Sequence, residues 1–389
     1  MELRKATADE WPAISRLHAT VYNGSRTDFS VTEADHEEVG NTWCVIDDGE
    51  PISVLTVHQF RMVFHGSIVS MAGVGGVGTL PEHRHAGHVR RLLAAAFAEM
   101  HERRQGFSLL YPFSFPYYRM FGYELVYSRR EYRAPANALV ATDRTGRIEQ
   151  VTDATADLRG CYERFARGRT LSMIRSDRQW SDAVKDNPWR DRVYTWVRRD
   201  EHDHVTAWVT VRAETAGPHA IRAIVDDLAF DSGASLRELL AFMPTLVPRA
   251  VEVVLHLPSD LPLELMVREP YEISASRRGS VMGRITDLVP AFERARLPGE
   301  GSLVIEVADD LLDWNAGVYA LDWGDGGVSC APTTRSPDLS VDIRVLTQLL
   351  LGYQDGGLAL DLGLLRSRLE RRELASVFPA RPLFQNDAF

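Results

Sequence analysis

The sequence predicts an α+β fold built from two or three domains, and three observations point that way. Its 389 residues are more than one hydrophobic core ordinarily organises. Short candidate strands are interleaved with amphipathic helical segments, so sheets and helices share the chain. A strand, a glycine-containing turn and a helix also follow one another twice, once near residue 80 and again near residue 230.

The first element is a strand near Glu2 to Lys5. A helix follows, its start marked by Thr7 with Glu10 three residues on, the spacing at which two side chains satisfy orphan backbone donors reciprocally. Ile14, Leu17 and Val21 give it an apolar face. Two strands, Trp43 to Ile46 and Ser53 to His58, flank Asp47-Asp48-Gly49-Glu50, whose Asp-Gly step supplies the positive φ angles of a tight hairpin. A third strand, Ile68 to Ala72, runs into Gly73-Val74-Gly75-Gly76-Val77-Gly78-Thr79 and then into Leu80-Pro81-Glu82-His83-Arg84-His85-Ala86-Gly87-His88-Val89. Val89, Leu92, Leu93, Ala96, Phe97 and Met100 repeat with helical period, and Gly106 is expected to close that helix. Phe107 to Tyr111 reads as a strand, and Phe115 to Tyr123 as a loop or short helix.

From about residue 150 the pattern partly recurs: strands Val205 to Val211 and Ala220 to Phe230, the turn Asp231-Ser232-Gly233-Ala234, a helix from Ser235 to Met243, and a strand from Val251 to His256. This second turn holds an aspartate and no arginine before Arg237, which disfavours phosphate there. A third section begins at Met282, with strands Leu303 to Val307 and Val318 to Trp323, the hairpin Gly324-Asp325-Gly326-Gly327, and leucine-rich helices around Val345 to Leu351 and Gly363 to Leu369.

Composition narrows the function classes. At 45% hydrophobic and 25% charged, the chain is expected to fold throughout. No apolar run approaches the ~18 residues of a membrane span, and Met1-Glu2-Leu3-Arg4-Lys5-Ala6 lacks the apolar core of a signal peptide, so a cytoplasmic location is expected. Cys44, Cys161 and Cys330 lie far apart without C-x-x-C spacing, which favours buried reduced thiols over disulfides or a zinc site, and His58, His65 and His101 have no metal-like pairing. No metal is expected. A formal net charge of −10 disfavours a nucleic-acid partner and suits a cationic one.

The basic turn carries the chemistry. Gly87 lets backbone approach a ligand closely, the N–H groups of residues 85–90 point out of the new helix, and the helix dipole favours an anion. Arg84, His85, His88, Arg90 and Arg91 add donors and positive charge. Gly75, Gly76 and Gly78 weaken the preceding strand, leaving its edge free for an extended ligand. Coenzyme A offers both parts, a pyrophosphate and a pantetheine arm. A dinucleotide fits less well, because the turn lacks the G-x-G-x-x-G fingerprint.

Residues 80–89 resemble the R-x-x-G-x-G/A acyl-CoA motif of GNAT acetyltransferases, with Val89 in place of the usual final small residue. Tyr118-Arg119-Met120-Phe121-Gly122-Tyr123 resembles the Y-x-x-F-G-Y motif of the Eis (enhanced intracellular survival) family within that superfamily. Met282 to Asp287, Leu303 to Asp309 and Trp314 to Gly317 are similar to that family's last domain. The resemblance implies tandem GNAT domains, each a mixed sheet flanked by helices, at residues 1–150 and 151–281, the second unable to bind CoA. A sterol-carrier-protein-like domain follows at 282–389, with six subunits per assembly.

It also implies roles. Val77, Gly78 and Thr79 would hold the pantetheine and the thioester oxyanion, and Arg84, His85, Ala86, Gly87, His88, Val89 and Arg90 the pyrophosphate. Phe113 and Ser114 would close on acetyl-CoA. Tyr118 would be the acid that protonates the leaving thiolate, which its ordinary pKa near 10 permits. Residues 74–78 offer no carboxylate as base, and the family analogy points instead to the chain's terminal carboxylate on Phe389. Asp28, Glu33, Asp35 and Asp387, with Trp43 and Phe115 as walls, are candidates for an acidic amine pocket. The expected activity is acetyl transfer from acetyl-CoA to primary amines of polyamines, aminoglycosides or lysine side chains. The alternative is a non-catalytic acyl-CoA or lipid carrier.

Overall fold

The computed structural model describes residues 1–22, 39–138, 146–218, 220–387 and 389. Twelve strands form one continuous sheet: β1 (Glu2–Lys5), β2 (Thr42–Asp47), β3 (Glu50–Phe64), β4 (Ser67–Thr79), β5 (Phe107–Leu110), β6 (Glu124–Pro135), β7 (Arg147–Val151), β8 (Val193–Arg199), β9 (Val205–Gly217), β10 (Ala220–Phe230), β11 (Ala250–Leu257) and β12 (Ser274–Ile285). Their order is β1-β2-β3-β4-β5-β12-β6-β11-β10-β9-β8-β7. β12, late in the chain, lies between β5 and β6, and β6 in turn lies between β12 and β11. The two halves of the sheet are therefore interlocked.

Local chemistry explains the leading elements. The Thr7 N–H donates to Glu10 Oε2 at 2.8 Å, and helix α1 (Trp11–Tyr22) follows. The Arg4 hydrogen bond to Glu10 holds that carboxyl down at about 2. Asp48 and Gly49 both take positive φ, 47° and 84°, so the β2–β3 hairpin turns where the Asp-Gly step requires. Helix α2 (His88–Glu102) crosses from β4 to the parallel β5 and buries Leu92, Leu93, Ala96, Phe97 and Met100 against the sheet. Truncating Phe97 there would cost about 3–5 kcal/mol.

Gly106 does not close α2. The helix ends at Glu102, Arg104 takes the left-handed φ of 51°, and Gly106 packs against the Ala291 backbone, where a Cβ would approach to 3.0 Å. Helix α3 (Phe115–Arg119) is short and capped by Ser114, whose Oγ accepts the Tyr117 N–H. In the second half, α4 (Ala156–Arg167) and α5 (Asp177–Ala183) precede β8, and α6 (Gly233–Ala241) crosses from β10 to the parallel β11.

A second sheet, of order β15-β14-β13-β16-β17, comprises β13 (Gly301–Ala308), β14 (Gly317–Gly324), β15 (Gly327–Pro332), β16 (Leu339–Asp342) and β17 (Leu365–Ser367). Helix α7 (Ile343–Leu351) forms where the leucines announce it. The helix expected at residues 363–369 is absent: Gly363 has φ 66° and the chain continues into β17, with helices at Gly356–Asp361 and Arg371–Val377 on either side. The two sheets share a core, since Met62, Phe64, Phe107 and Ile285 pack with Leu303, Ile305 and Leu346. The section expected from Met282 thus opens inside β12, a strand of the larger sheet.

Among the described residues no helix is long and apolar enough to cross a membrane, and no group of three or more His, Cys, Asp or Glu side chains could hold a metal ion. Cys44, Cys161 and Cys330 are buried free thiols, with burial pushing Cys44 and Cys330 up to about 12.

Candidate active site

β4 and β5 run parallel only from Ala72↔Ser108 to Val74↔Leu110 and then part. Just past that point β4 bulges: Val54 pairs Gly78 and Thr56 pairs Gly75, so Gly76 and Val77 together face Leu55. Gly76 supplies the required positive φ of 56°. The Leu80 N–H bonds Ile52 on β3, so by strand alternation Val77 and Thr79 turn their backbone groups away from β3. Tyr22 Oη donates to Val77 O at 2.8 Å and Arg84 Nε to Thr79 O at 3.4 Å on that freed side.

The turn that follows begins α2 without a side-chain cap. His85 and Gly87 have φ of 64° and 77°, and the first intrahelical bond returns from Arg91 N–H to Gly87 O. The N–H groups of the opening turn have no acceptor within the helix, as at any helix N-terminus. A cavity of ≈ 700 Å³ joins these parts. It is lined by Val77, Gly78, Thr79, Arg84, His85, Ala86, Gly87, His88, Val89, Arg90 and Phe113, together with Tyr22, Tyr117 and Phe121. Neither ring nitrogen of the buried His88 has a hydrogen-bond partner, and burial lowers its pKa. Ser114 does not line the cavity; its hydroxyl accepts the Tyr117 N–H and caps α3. The cavity's size, its free N–H groups and Arg84 and Arg90 suit a phosphate-bearing, extended ligand.

Tyr118 is buried beside the cavity in an aromatic cluster, its ring 5.4 Å from those of Phe113 and Tyr117. Burial first, and then the neighbouring phenols of Tyr22, Tyr123 and Tyr117, raise its pKa above the usual range. The phenol is protonated at neutral pH.

The chain's end lies on the same strand. The Phe389 ring packs against Phe60 (5.1 Å), Tyr111 (5.2 Å) and His58 (6.5 Å). A Cβ built on Gly75 would lie 3.7 Å from the Phe389 carboxyl carbon and 3.0 Å from His58 Nε2, and one on Gly73 would strike the Phe389 ring at 2.9 Å. The glycine run therefore makes room for the terminus, a role its sequence did not reveal. His58 and Phe60, whose rings contact Phe389, were not expected to meet the terminus. Their same-face alternation on β3 was the available signal.

An acidic amine pocket was expected from Asp28, Glu33, Asp35 and Asp387, with Trp43 and Phe115 as walls. Asp28, Glu33 and Asp35 lie outside the described residues. Asp387 is not a pocket wall: its carboxylate is buried and held at 2.6 Å by Arg175 Nε. Burial raises its pKa, with the Arg175 charge opposing. Trp43 packs toward α2, donating to Glu99 at 2.9 Å with Lys5 over its ring, and Phe115 packs over Gly279, where a Cβ would approach its ring to 3.1 Å. The second basic-turn counterpart is closed by its own residues. Ser232 Oγ accepts the Ser235 N–H at 3.1 Å, and Asp231 pairs with Arg164 at 2.9 Å.

Comparison with known proteins accords with this geometry. Residues 2–126 and 171–285 each match a family model described as an acetyltransferase (GNAT) domain, and residues 288–385 one described as a sterol carrier protein domain. N-acetyltransferase Eis of Mycobacterium tuberculosis is 26% identical over 394 aligned residues, covering 89% of this chain and 88% of that protein. An uncharacterized N-acetyltransferase of Streptomyces griseus is 26% identical over 334 residues, 78% of each chain. The crystal structure of Eis1 from Mycobacterium abscessus has the same fold, with a TM-score of 0.83 at 23% identity over 100% of both chains.

Proposed function

This chain is a GNAT N-acetyltransferase of the Eis family, and on that premise we propose that it passes acetyl from acetyl-CoA directly to a primary amine within a ternary complex. The amine belongs to a polyamine, an aminoglycoside or a lysine side chain, cations suited to a chain of net charge −10. The observation that carries the reading is the position of residue 389, whose carboxyl group lies over Gly75 where β4 leaves β5, two residues before Val77 on the strand whose residues 77–79 line the cavity.

In this reading residues 85–90 bind the pyrophosphate and the freed edge of β4 holds the pantetheine, so the thioester carbonyl meets the N–H groups at Val77 and Thr79 within the 77–79 segment. The amine nitrogen attacks that carbonyl carbon, forming the C–N bond as the C–S bond breaks. The Phe389 carboxylate takes the ammonium proton, directly or through water, and Tyr118 gives its proton to the departing thiolate. His58, whose Nε2 borders Gly75 as the Phe389 carboxyl carbon does, is a further candidate to share the first proton transfer. The division at residues 150 and 281, the six-subunit assembly and the cytoplasmic location belong to the same reading, and sedimentation equilibrium tests the assembly.

The deciding experiment follows CoA-thiol release with a panel of polyamines and aminoglycosides for the native chain, Tyr118→Phe, and a chain whose Phe389 is converted to the carboxamide by ligation of a synthetic C-terminal peptide. Loss of about 10²–10⁴-fold in kcat in each variant, with acetyl-CoA binding kept, is expected for a missing acid or base. Full activity in the carboxamide protein overturns the terminal base. Binding of acetyl-CoA with no release toward any amine favours a carrier.

A further inference from the structure

The second strand–turn–helix unit repeats the first in its geometry. β10 and β11 run parallel from Ile221↔Ala250 to Val225↔Leu255 and then part, as β4 and β5 do after Val74↔Leu110. β10 bulges at the parting point too, where Val225 pairs Val211 and Asp227 pairs Thr210, leaving Asp226 extra. In the first unit the resulting wedge borders the large cavity. In the second it holds the chain's own tail. Leu383 joins Ser259, just beyond β11, by two hydrogen bonds: Leu383 N–H to Ser259 Oγ at 2.9 Å and Ser259 N–H to Leu383 O at 3.1 Å. Asn386 Nδ2 then reaches the β10 bulge, donating to Asp226 O at 2.8 Å and Asp227 Oδ1 at 2.9 Å.

An ion triad completes the hold. Arg175, its side chain 2% exposed, sets Nε 2.6 Å from Asp387 and Nη1 2.7 Å from Asp227, the latter as a charge contact and not an aligned hydrogen bond. Its guanidinium lies 4.2 Å from the Tyr162 ring centroid and 5.0 Å from that of Trp180, both of the second unit. On the other side of the tail, Thr170 bonds Pro382 and Phe384, while residues 171–174 bond Arg61 and Val63 of β3, the strand that carries His58 and Phe60.

We infer that the second unit is a receptor for the C-terminal tail: its wedge, counterpart of the acetyl-CoA wedge in the first unit, is filled by residues 383–387, and Arg175 and Asp387 are positioning residues for the terminal carboxylate. This rests on the proposed role of that carboxylate as base. Two residues separate Asp387 from the chain end, and two residues span at most about 7 Å. Fixing Asp387 therefore confines the Phe389 carboxyl to the neighbourhood of Gly75. The inference gives the second GNAT unit a function in a reaction whose co-substrate it does not bind, and explains why its wedge is closed.

The test combines two readouts on Asp387→Asn, which keeps the side-chain size and removes the charge facing Arg175. The first is release of Phe389 from the folded protein by carboxypeptidase A, followed by mass spectrometry. The second is the split between kcat and the KM for acetyl-CoA. Losing a charge-assisted bond is expected to speed Phe389 release about tenfold or more. A displaced base, off by about 1 Å, is expected to lower kcat about 10²-fold while the acetyl-CoA KM stays within about twofold. Asn386→Ala, which removes only the two bonds to Asp226 and Asp227, carries both readouts in smaller measure if Asp387→Asn does not fold. Native rates of release and native kcat in the folded variants overturn the inference. If the carboxamide protein is fully active the base reading fails, and the rate of Phe389 release then decides alone whether the second unit holds the tail.

Discussion

Arg284 and Asp309 form a buried pair that joins β12 to the end of β13, and its two halves are expected to differ in what their loss costs. Both side chains are almost wholly out of solvent, at 0% and 1% exposure, and two bonds of 2.8 and 2.7 Å connect them. Arg284 Nη1 also donates to the Phe121 carbonyl, and the guanidinium lies 4.9 Å over the Phe97 ring. Removing one partner of such a pair costs about 3–5 kcal/mol, because the other charge stays buried. With Arg284→Met, Asp309 keeps three donors: the Leu311 and Leu312 N–H groups at 3.1 Å and Asn315 Nδ2 at 3.2 Å. The cost should fall near the lower end, about 3 kcal/mol. With Asp309→Ala, Arg284 keeps only a carbonyl and a ring, and its Nε already has no partner, so about 5 kcal/mol is expected. Shifts of the guanidinium unfolding midpoint at constant m give both numbers. Equal costs, the reverse ranking, or losses of about 1 kcal/mol typical of exposed pairs would refute the reasoning. Folded Arg284→Met should also lose kcat, since Phe121 belongs to the segment that seats Tyr118.

Gly87 has open space around its missing Cβ but a φ of 77°, so Gly87→Ala should cost about 1–2 kcal/mol in backbone strain and weaken acetyl-CoA binding, measured by calorimetry; Gly87→Asn should bind more nearly as the native chain does. Unchanged affinity in Gly87→Ala would mean that the turn is not the anion site. His65 is buried, donates through Nε2 to Leu350 O at 2.8 Å and accepts the Arg296 N–H on Nδ1 at 2.9 Å, which fixes its neutral tautomer. Burial, with the Arg381 charge, pulls its pKa down to about 3 from 6.5. The unfolded chain binds that proton first, so His65's contribution to stability is complete above pH 6.5 and lost as pH falls toward 3, at about 1.4 kcal/mol per pH unit within the window. The gap in stability between native protein and His65→Gln should therefore narrow from pH 7 to pH 4.5, and parallel pH profiles would count against a buried neutral His65.

The basic turn and the nearby aromatic motif were legible in the sequence because their parts are contiguous. Arg84, Gly87 and the helix they precede lie within one short segment, as do Ser114, Tyr118 and Gly122, and local rules of capping and positive φ decide how such segments fold. Local rules also placed the Asp48–Gly49 hairpin and α7. They failed at Gly106 and Gly363, where glycine was read as a stop or a helix start while packing against Ala291 and the pairing of β16 with β17 decided the outcome. They missed β6 and β12 altogether, whose neighbours are strands more than a hundred residues away. Asp387 shows the limit most clearly. In the sequence it is one more acidic residue near a chain end, a candidate for an amine pocket. Only the tertiary structure, by bringing Arg175 and Asp227 within 2.7 Å of one another and delivering Arg175 to the tail, makes it an anchor. The sequence determined which residues could bind an anion, cap a helix or bear a proton, since those are properties of side chains and short segments. Which of them meet was decided by the interlocked sheet, because burial and ion pairing depend on distances in space that no local spacing encodes.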